Sequence, residues 1–313
     1  MGLKTCFGLW PVVLIASFVA LAPKVSPAQP ATGPQIVTDD VALFFRVYDA
    51  AGGHPSAEQL DRDYLGPGSP GLHSFAKARN VTGARIADAV EKRPEIYTEA
   101  RRCTRVLPAV KTRLTAAFAK LARLYPEARF PPVTLVIGRG RPVGITNTDG
   151  VFMGLEALCS ADFMNPNLED RFVYNIAHEY GHVQQDTALN DLSPGDPGAT
   201  VLAMSLMEGG GEFTAELIAG DIGNYQHKAW TKGHEAEIEA AFVRDEDSTD
   251  LSHWMYNGPG DAAYPGDLGY WVGYRIVKSY YEHAADKHQA LLDIYHLTDP
   301  KAFLAKSGWR PAA

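Results

Sequence analysis

Apolar residues in the first third of the chain recur at helical intervals. Between positions 39 and 51 they fall at Val41, Phe44, Phe45 and Tyr48, with Thr38, Asp39 or Asp40 available to cap the start. Gly52-Gly53-His54-Pro55 breaks the pattern, and further helical segments run to about Leu124. Arg101, Arg102 and Arg105 read there as a solvated mixed-charge face rather than an anion site. The texture changes at Phe130. Pro131-Pro132 introduces Val133-Thr134-Leu135-Val136-Ile137, a β-branched run that predicts a buried strand. Residues 138–144 read as a glycine-punctuated loop carrying Arg139 and Arg141, and Val151-Phe152-Met153 as a second short strand. The loop lacks the lysine-ending phosphate-cradle pattern. Helices return from Asn167, interrupted by Gly/Pro/Asp-rich connections at 190–198 and 257–269. These patterns predict an α+β fold, predominantly α, with a small sheet that includes residues 133–154.

Residues 1–28 read as a secretory signal peptide. Lys4 gives a positive start, and the apolar stretch from 7 to 22 is broken only by Gly8, Pro11 and Ser17. Ser26-Pro27-Ala28 then offers small residues at the −3 and −1 positions of a cleavage site. The stretch is short against the roughly 20 residues of a membrane span, and an uncleaved anchor stays as the alternative because the positive region holds a single lysine. The expectation is an exported protein, periplasmic or secreted in a bacterium, with no stable membrane insertion after signal cleavage. Residues 29–313 then form a single domain, helical over 29–130, with the sheet and the metal-binding helices in 131–313.

Composition sets limits on partners. A chain of 313 residues with 46% hydrophobic and 21% charged residues has the material for a sizeable core. Its net charge is −8, and losing Lys4 and Lys24 with the signal takes it to −10. An acidic surface argues against nucleic-acid partners and anionic membrane surfaces. Cys6 leaves with the signal; Cys103 and Cys159 remain as one disulfide or as two buried thiols, too few for a cysteine-rich metal site.

The chemistry is concentrated further along. Residues 178–182 read His178-Glu179-Tyr180-Gly181-His182, and on a helix i and i+4 project from one face, so both imidazoles reach one ion. Pro166 and Asn167 start that helix, Glu169 and Asp170 complement its positive end, and Phe172, Val173 and Ile176 form an apolar stripe. Gly181, a poor helix former, predicts close approach of a neighbouring backbone or of substrate. Chance alone yields HExxH about 0.02 times in a chain of this composition, so a third ligand is needed. The extended pattern with a third histidine fails at Gln185 and Ala188. Downstream, Glu208-Gly209-Gly210-Gly211-Glu212-Phe213-Thr214-Ala215-Glu216 sets three carboxylates at i, i+4 and i+8. Leu202, Met204, Leu206 and Met207 before it, and Leu217 and Ile218 after it, would bury this second helix against the first.

Two histidines and one carboxylate give a catalytic zinc its three protein ligands and leave a position for water. Glu179 is then the general base. Glu208 as ligand, with Glu212 one turn later orienting a ligand imidazole, is a coherent assignment.

HEYGH followed by EGGGEF resembles the gluzincin metallopeptidases, in which a Glu on a second helix completes the HExxH site, often with an acidic residue four positions on. Residues 150–156, 269–281 and 303–308 are similar to a bacterial family described as predicted zinc-dependent proteases of unknown function. The resemblance covers roughly 133–308. It implies a zincin-like (gluzincin) fold, one Zn2+ per chain and a peptide or protein substrate. His178, His182 and Glu208 match the ligand positions and Glu179 the base. The strand at 151–154 would correspond to the edge strand that pairs with an extended substrate. The chain departs from the pattern at Glu212, where Asp is common. It departs again in its three consecutive glycines, which cost a helix roughly 2–3 kcal/mol relative to alanine. Glu212 as third ligand in place of Glu208 stays open.

A peptidase also needs a donor for the developing oxyanion. Tyr270 and Tyr274 stand at i and i+4 of a predicted helix whose Gly269 and Gly273 would allow tight docking. His253 or Tyr264 in the preceding loop are further candidates, and a core role for the tyrosines is the alternative. Arg275 is a candidate partner for a site carboxylate, and Glu156 or Glu216 would bind a free amine in an aminopeptidase. His227, His234, His283, His288 and His296 read as surface residues. The leading function is an exported zinc metallopeptidase. The alternatives are a non-catalytic zinc-stabilised binding protein, against which Glu179 argues, or a zinc amidase on a non-peptide substrate. No oligomeric state follows from the sequence.

Overall fold

The computed structural model describes residues 33–141, 143–258, 260 and 265–312, so the signal-like segment and Tyr264 lie outside the described residues. The N-terminal part runs β1 (Ile36–Val37), α1 (Asp39–Ala50), α2 (Ala57–Leu60), α3 (Pro70–Arg79), α4 (Gly83–Lys92), α5 (Pro94–Cys103) and α6 (Leu107–Leu124). There follow β2 (Val133–Val136), β3 (Gly144–Asn147), β4 (Gly150–Gly154), α7 (Leu155–Cys159), α8 (Leu168–Gln184) and α9 (Val201–Ala219). The remaining helices are α10 (Tyr225–Trp230), α11 (Glu235–Asp245), α12 (Leu268–His283), α13 (Lys287–Tyr295) and α14 (Pro300–Lys306). The expected α+β organisation, mostly helical around one small sheet, is what forms.

The sheet order is β1-β2-β4-β3, with β1, β2 and β4 parallel and β3 antiparallel to β4. Side chains alternate between faces along each strand. Leu135, Met153 and Gly144 stand side by side across the sheet and face α8, where Gly144 abuts the Glu179 carboxylate. Thr134, Phe152 and Ile145 take the opposite face, where Thr134 meets Gly71 of α3.

This topology corrects one expectation. The strand at 151–154 is not an edge: β4 pairs with β2 on one side and β3 on the other and is buried throughout. The edge beside α8 is β3, which buries only Ile145. A strand with one covered face and a glycine at its start carries too little apolar signal to be read from sequence.

Two further features position the site. Helix α9 lies between α8 and α12, which explains why it is apolar nearly all round rather than along one stripe. Cys103 and Cys159 are joined in a disulfide that ties the end of α5 to the end of α7. Among the described residues, no helix is long and apolar enough to cross a membrane.

Candidate metal centre

Helix α8 begins where the sequence places it. The Asn167 side chain accepts from Asp170 N at 3.0 Å, satisfying one of the orphan donors of the first turn. Behind it the buried Arg171 guanidinium donates to Asn165 O (2.7 Å) and Cys159 O (2.5 Å), fixing the start of α8 to the end of α7. Helix α9 is capped by Thr200, whose hydroxyl accepts from Ala203 N at 3.2 Å. The glycines between Glu208 and Glu212 do not break it, because they answer to separate neighbours. A Cβ on Gly209 would lie 2.1 Å from Gly273 C in α12, and one on Gly211 would lie 2.9–3.0 Å from the His178 ring. Gly181 meets Gly211 in turn, a Cβ there falling 2.8 Å from Gly211 Cα, which is the close backbone approach expected of it.

These contacts bring three donors to one point. His178 Nε2 is 3.2 Å from Glu208 Oε2, His182 Nε2 is 3.1 Å from the same oxygen, and the two nitrogens are 3.1 Å apart. Corners of a tetrahedron around a zinc with bonds of about 2.0–2.1 Å stand about 3.3 Å apart, so the triangle fits such an ion. Burial disfavours a charged His178, yet the Glu208 and Glu212 carboxylates outweigh it and hold the imidazole well above its usual range. His182 is raised in the same way, burial being outweighed chiefly by Glu208. Glu208, whose burial alone would raise it, is held far below the usual carboxylate range by the two histidines. A buried cluster that keeps its carboxylate ionised and draws protons onto its imidazoles is built around positive charge.

Around this triangle the other candidates separate. Glu212 Oε1 lies 3.5 Å from His178 Nδ1, the side opposite Glu208, and its carboxylate accepts from Gly223 N (2.5 Å) and Asn224 Nδ2 (3.0 Å). It therefore backs His178 and stays clear of the donor triangle. Glu179 points to the sheet edge, where the Thr146 hydroxyl donates to its Oε2 at 2.7 Å. A Cβ on Gly144 would come within 2.6 Å of Glu179 Oε1, so the carboxylate uses space that only glycine leaves. Tyr270 is stacked on the His178 ring at 5.9 Å and 18°.

Tyr274 is elsewhere: its hydroxyl accepts from Lys278 Nζ at 3.1 Å, and Lys278 reaches Glu216 at 3.0 Å. A phenol hydroxyl that does reach the cluster is that of Tyr256, donating to Glu208 Oε1 at 3.0 Å. Burial and the Glu208 charge hold its hydroxyl well above an ordinary phenol, so it stays a proton donor. Its backbone is left-handed, φ 58°, and the adjoining loop is closed by reciprocal bonds, Asn257 N to Asp267 Oδ1 (2.9 Å) and Asp267 N to Asn257 Oδ1 (2.6 Å). No periodicity or spacing marks a loop tyrosine.

Several expectations are corrected here. His227 is buried, not on the surface; its Nε2 lies 2.8 Å from Gly266 O and burial lowers its pKa. Arg275 pairs with the buried Glu239 at 2.6 Å, away from the donor triangle. Glu156 is buried against the 138–140 loop, accepting from Gly138 N and Gly140 N at 2.9 Å each. Glu216 is taken by Lys278 and by Lys228, the latter at 3.4 Å. His253 lines a separate cavity of about 480 Å³ with Trp230, His234 and Trp254.

No curated protein and no solved structure gives a match to the chain. A family model does match, over residues 152–297, from within β4 to just past α13. That stretch contains His178, His182 and Glu208, the residues that could hold a metal ion. It is similar to the family described as "Predicted Zn-dependent protease", a domain of unknown function.

Proposed function

We propose that this chain is an exported zinc metallopeptidase that cleaves peptide bonds with water, Glu179 serving as general base. The observation that carries the reading is the buried triangle of His178 Nε2, His182 Nε2 and Glu208 Oε2 beside a separate, unligating Glu179. In this reading those three atoms hold the ion, which when bound supplies Lewis acidity to polarise the scissile carbonyl and acidify water. Glu179 takes a proton from the attacking water and returns one to the leaving amine. The bond from Thr146 occupies Oε2 and leaves Oε1 for that water. Tyr256 donates to the carbonyl oxygen as it gains charge.

The outer edge of β3 supports a peptide substrate. Gly154 N donates to Val143 O, so alternation along the antiparallel pair turns the backbone groups of Gly144 and Thr146 outward, next to Glu179. An extended chain pairing there would lie across the base. Both acids considered for binding a free amine, Glu156 and Glu216, are engaged by other partners, which favours internal cleavage.

Zinc per chain is the decisive measurement. Wild type purified without added metal should carry one zinc and Glu208→Ala none, whereas Glu212→Ala should keep it with roughly 10–100-fold weaker affinity. Wild type that takes up no zinc even after supplementation would overturn the reading. Tyr256→Phe should keep zinc and KM near wild type and lower kcat by about 100-fold, read on an internally quenched peptide. An unchanged kcat would remove Tyr256 from the mechanism.

A further inference from the structure

Gln185 follows the last residue of α8 and is buried between α8 and α9. Its amide Nε2 donates to Met207 O at 2.8 Å, and its Oε1 lies 2.7 Å from His182 Nδ1. A backbone carbonyl only accepts, so the NH2 end must face Met207 and the oxygen must face the imidazole. An amide oxygen only accepts, and its 2.7 Å contact with Nδ1 is shorter than the 3.1 Å from Nε2 to Glu208 Oε2, so in the neutral ring the proton belongs on Nδ1. His182 is then Nδ1–H, and its lone pair sits on Nε2, the atom 3.1 Å from Glu208 Oε2. The room for this amide depends on Gly210, where a Cβ would fall 2.5 Å from Gln185 Nε2. Asn190 Nδ2 holds the Gln185 carbonyl at 3.0 Å, so the residue is fixed at its backbone as well.

We propose that Gln185 is a positioning residue for the metal centre: it sets the tautomer of His182 and, through the carbonyl one residue before Glu208, the register of that ligand against α9. The two imidazoles are thereby backed differently, His178 by the carboxylate of Glu212 and His182 by a neutral amide. This rests on the reading of His182 and Glu208 as metal ligands, but the tautomer is a property of the metal-free chain and is measured separately.

The experiment uses the full chain, 15N-labelled at histidine, metal-free in alkaline buffer where the ring is neutral, with long-range 15N–1H correlation to assign the tautomer. Zinc Kd is measured in parallel by chelator competition. Wild type should show His182 as Nδ1–H. Gln185→Met, similar in size but without an acceptor, should populate the Nε2–H form and raise the zinc Kd by roughly 10–100-fold. Gln185→Glu, which keeps an acceptor oxygen for His182 but loses the amide that donates to Met207 O, should hold Nδ1–H while still raising the zinc Kd, and so separates the two roles. Wild-type His182 found as Nε2–H overturns the proposal outright, as does a Gln185→Met chain with wild-type tautomer and Kd. Wild type that shows Nδ1–H yet binds no zinc sinks the metal-ligand reading while the tautomer lock stands.

Discussion

Glu179→Gln is expected to lower kcat by about 10²–10⁴-fold while zinc per chain stays at the wild-type level. The side chain is outside the triangle formed by His178, His182 and Glu208, so the ion does not depend on it. Its fixed contact is the Thr146 hydroxyl, and the amide oxygen of glutamine can accept that bond as the carboxylate does. Shape and position are thus preserved and only the capacity to take a proton is removed. Turnover of a quenched peptide beside metal content by mass spectrometry separates the two effects. Full activity would sink the general-base assignment; loss of zinc would mean that Glu179 belongs to the ligand set.

The second large effect is on the fold itself. Gly273→Ala is expected to cost at least about 3 kcal/mol, the upper end of ordinary overpacking, or to prevent folding. A Cβ at Gly273 would stand 1.7 Å from Ser205 O and 2.4 Å from Ser205 C, both main-chain atoms of α9. Flexible side chains can swing aside from such an intrusion, whereas a helix backbone can only be displaced whole. Gly211→Ala meets the His178 ring instead, so it should reduce zinc affinity with a smaller loss of stability. Urea midpoints beside zinc Kd values test the pair. A Gly273→Ala chain with the wild-type midpoint would contradict the backbone contact between α9 and α12.

The parts of this molecule that could be read from sequence are those whose causes are local. Asn167 caps, Phe172, Val173 and Ile176 face one way, and His178 and His182 stand one turn apart; each follows from neighbours within a few positions. The helix over 208–216 is legible for the same reason, and its three glycines, costly to an isolated helix, are taken up by contacts with α12, Gln185 and the His178 ring. What escaped was set by distant partners. Gly144-Ile145-Thr146-Asn147 becomes an edge strand because β4 is beside it. His227 is buried with Gly266 O as its acceptor 39 positions away, and Arg275 is drawn to Glu239 rather than to the donor triangle. Tyr256 reaches Glu208 across 48 positions from a loop with no periodicity to betray it.

The placement of α9 also divides the candidate site by timescale. Glu208 sits on a helix wrapped by α8 and α12, where backbone opens only when most of the molecule opens. Tyr256, nearly half exposed, hangs from a loop closed by two hydrogen bonds between Asn257 and Asp267. A partly exposed side chain outside the helices is released by smaller openings than those that expose α9. Of the groups gathered at the triangle, the phenol is therefore the one that can leave and return many times within the lifetime of the folded state.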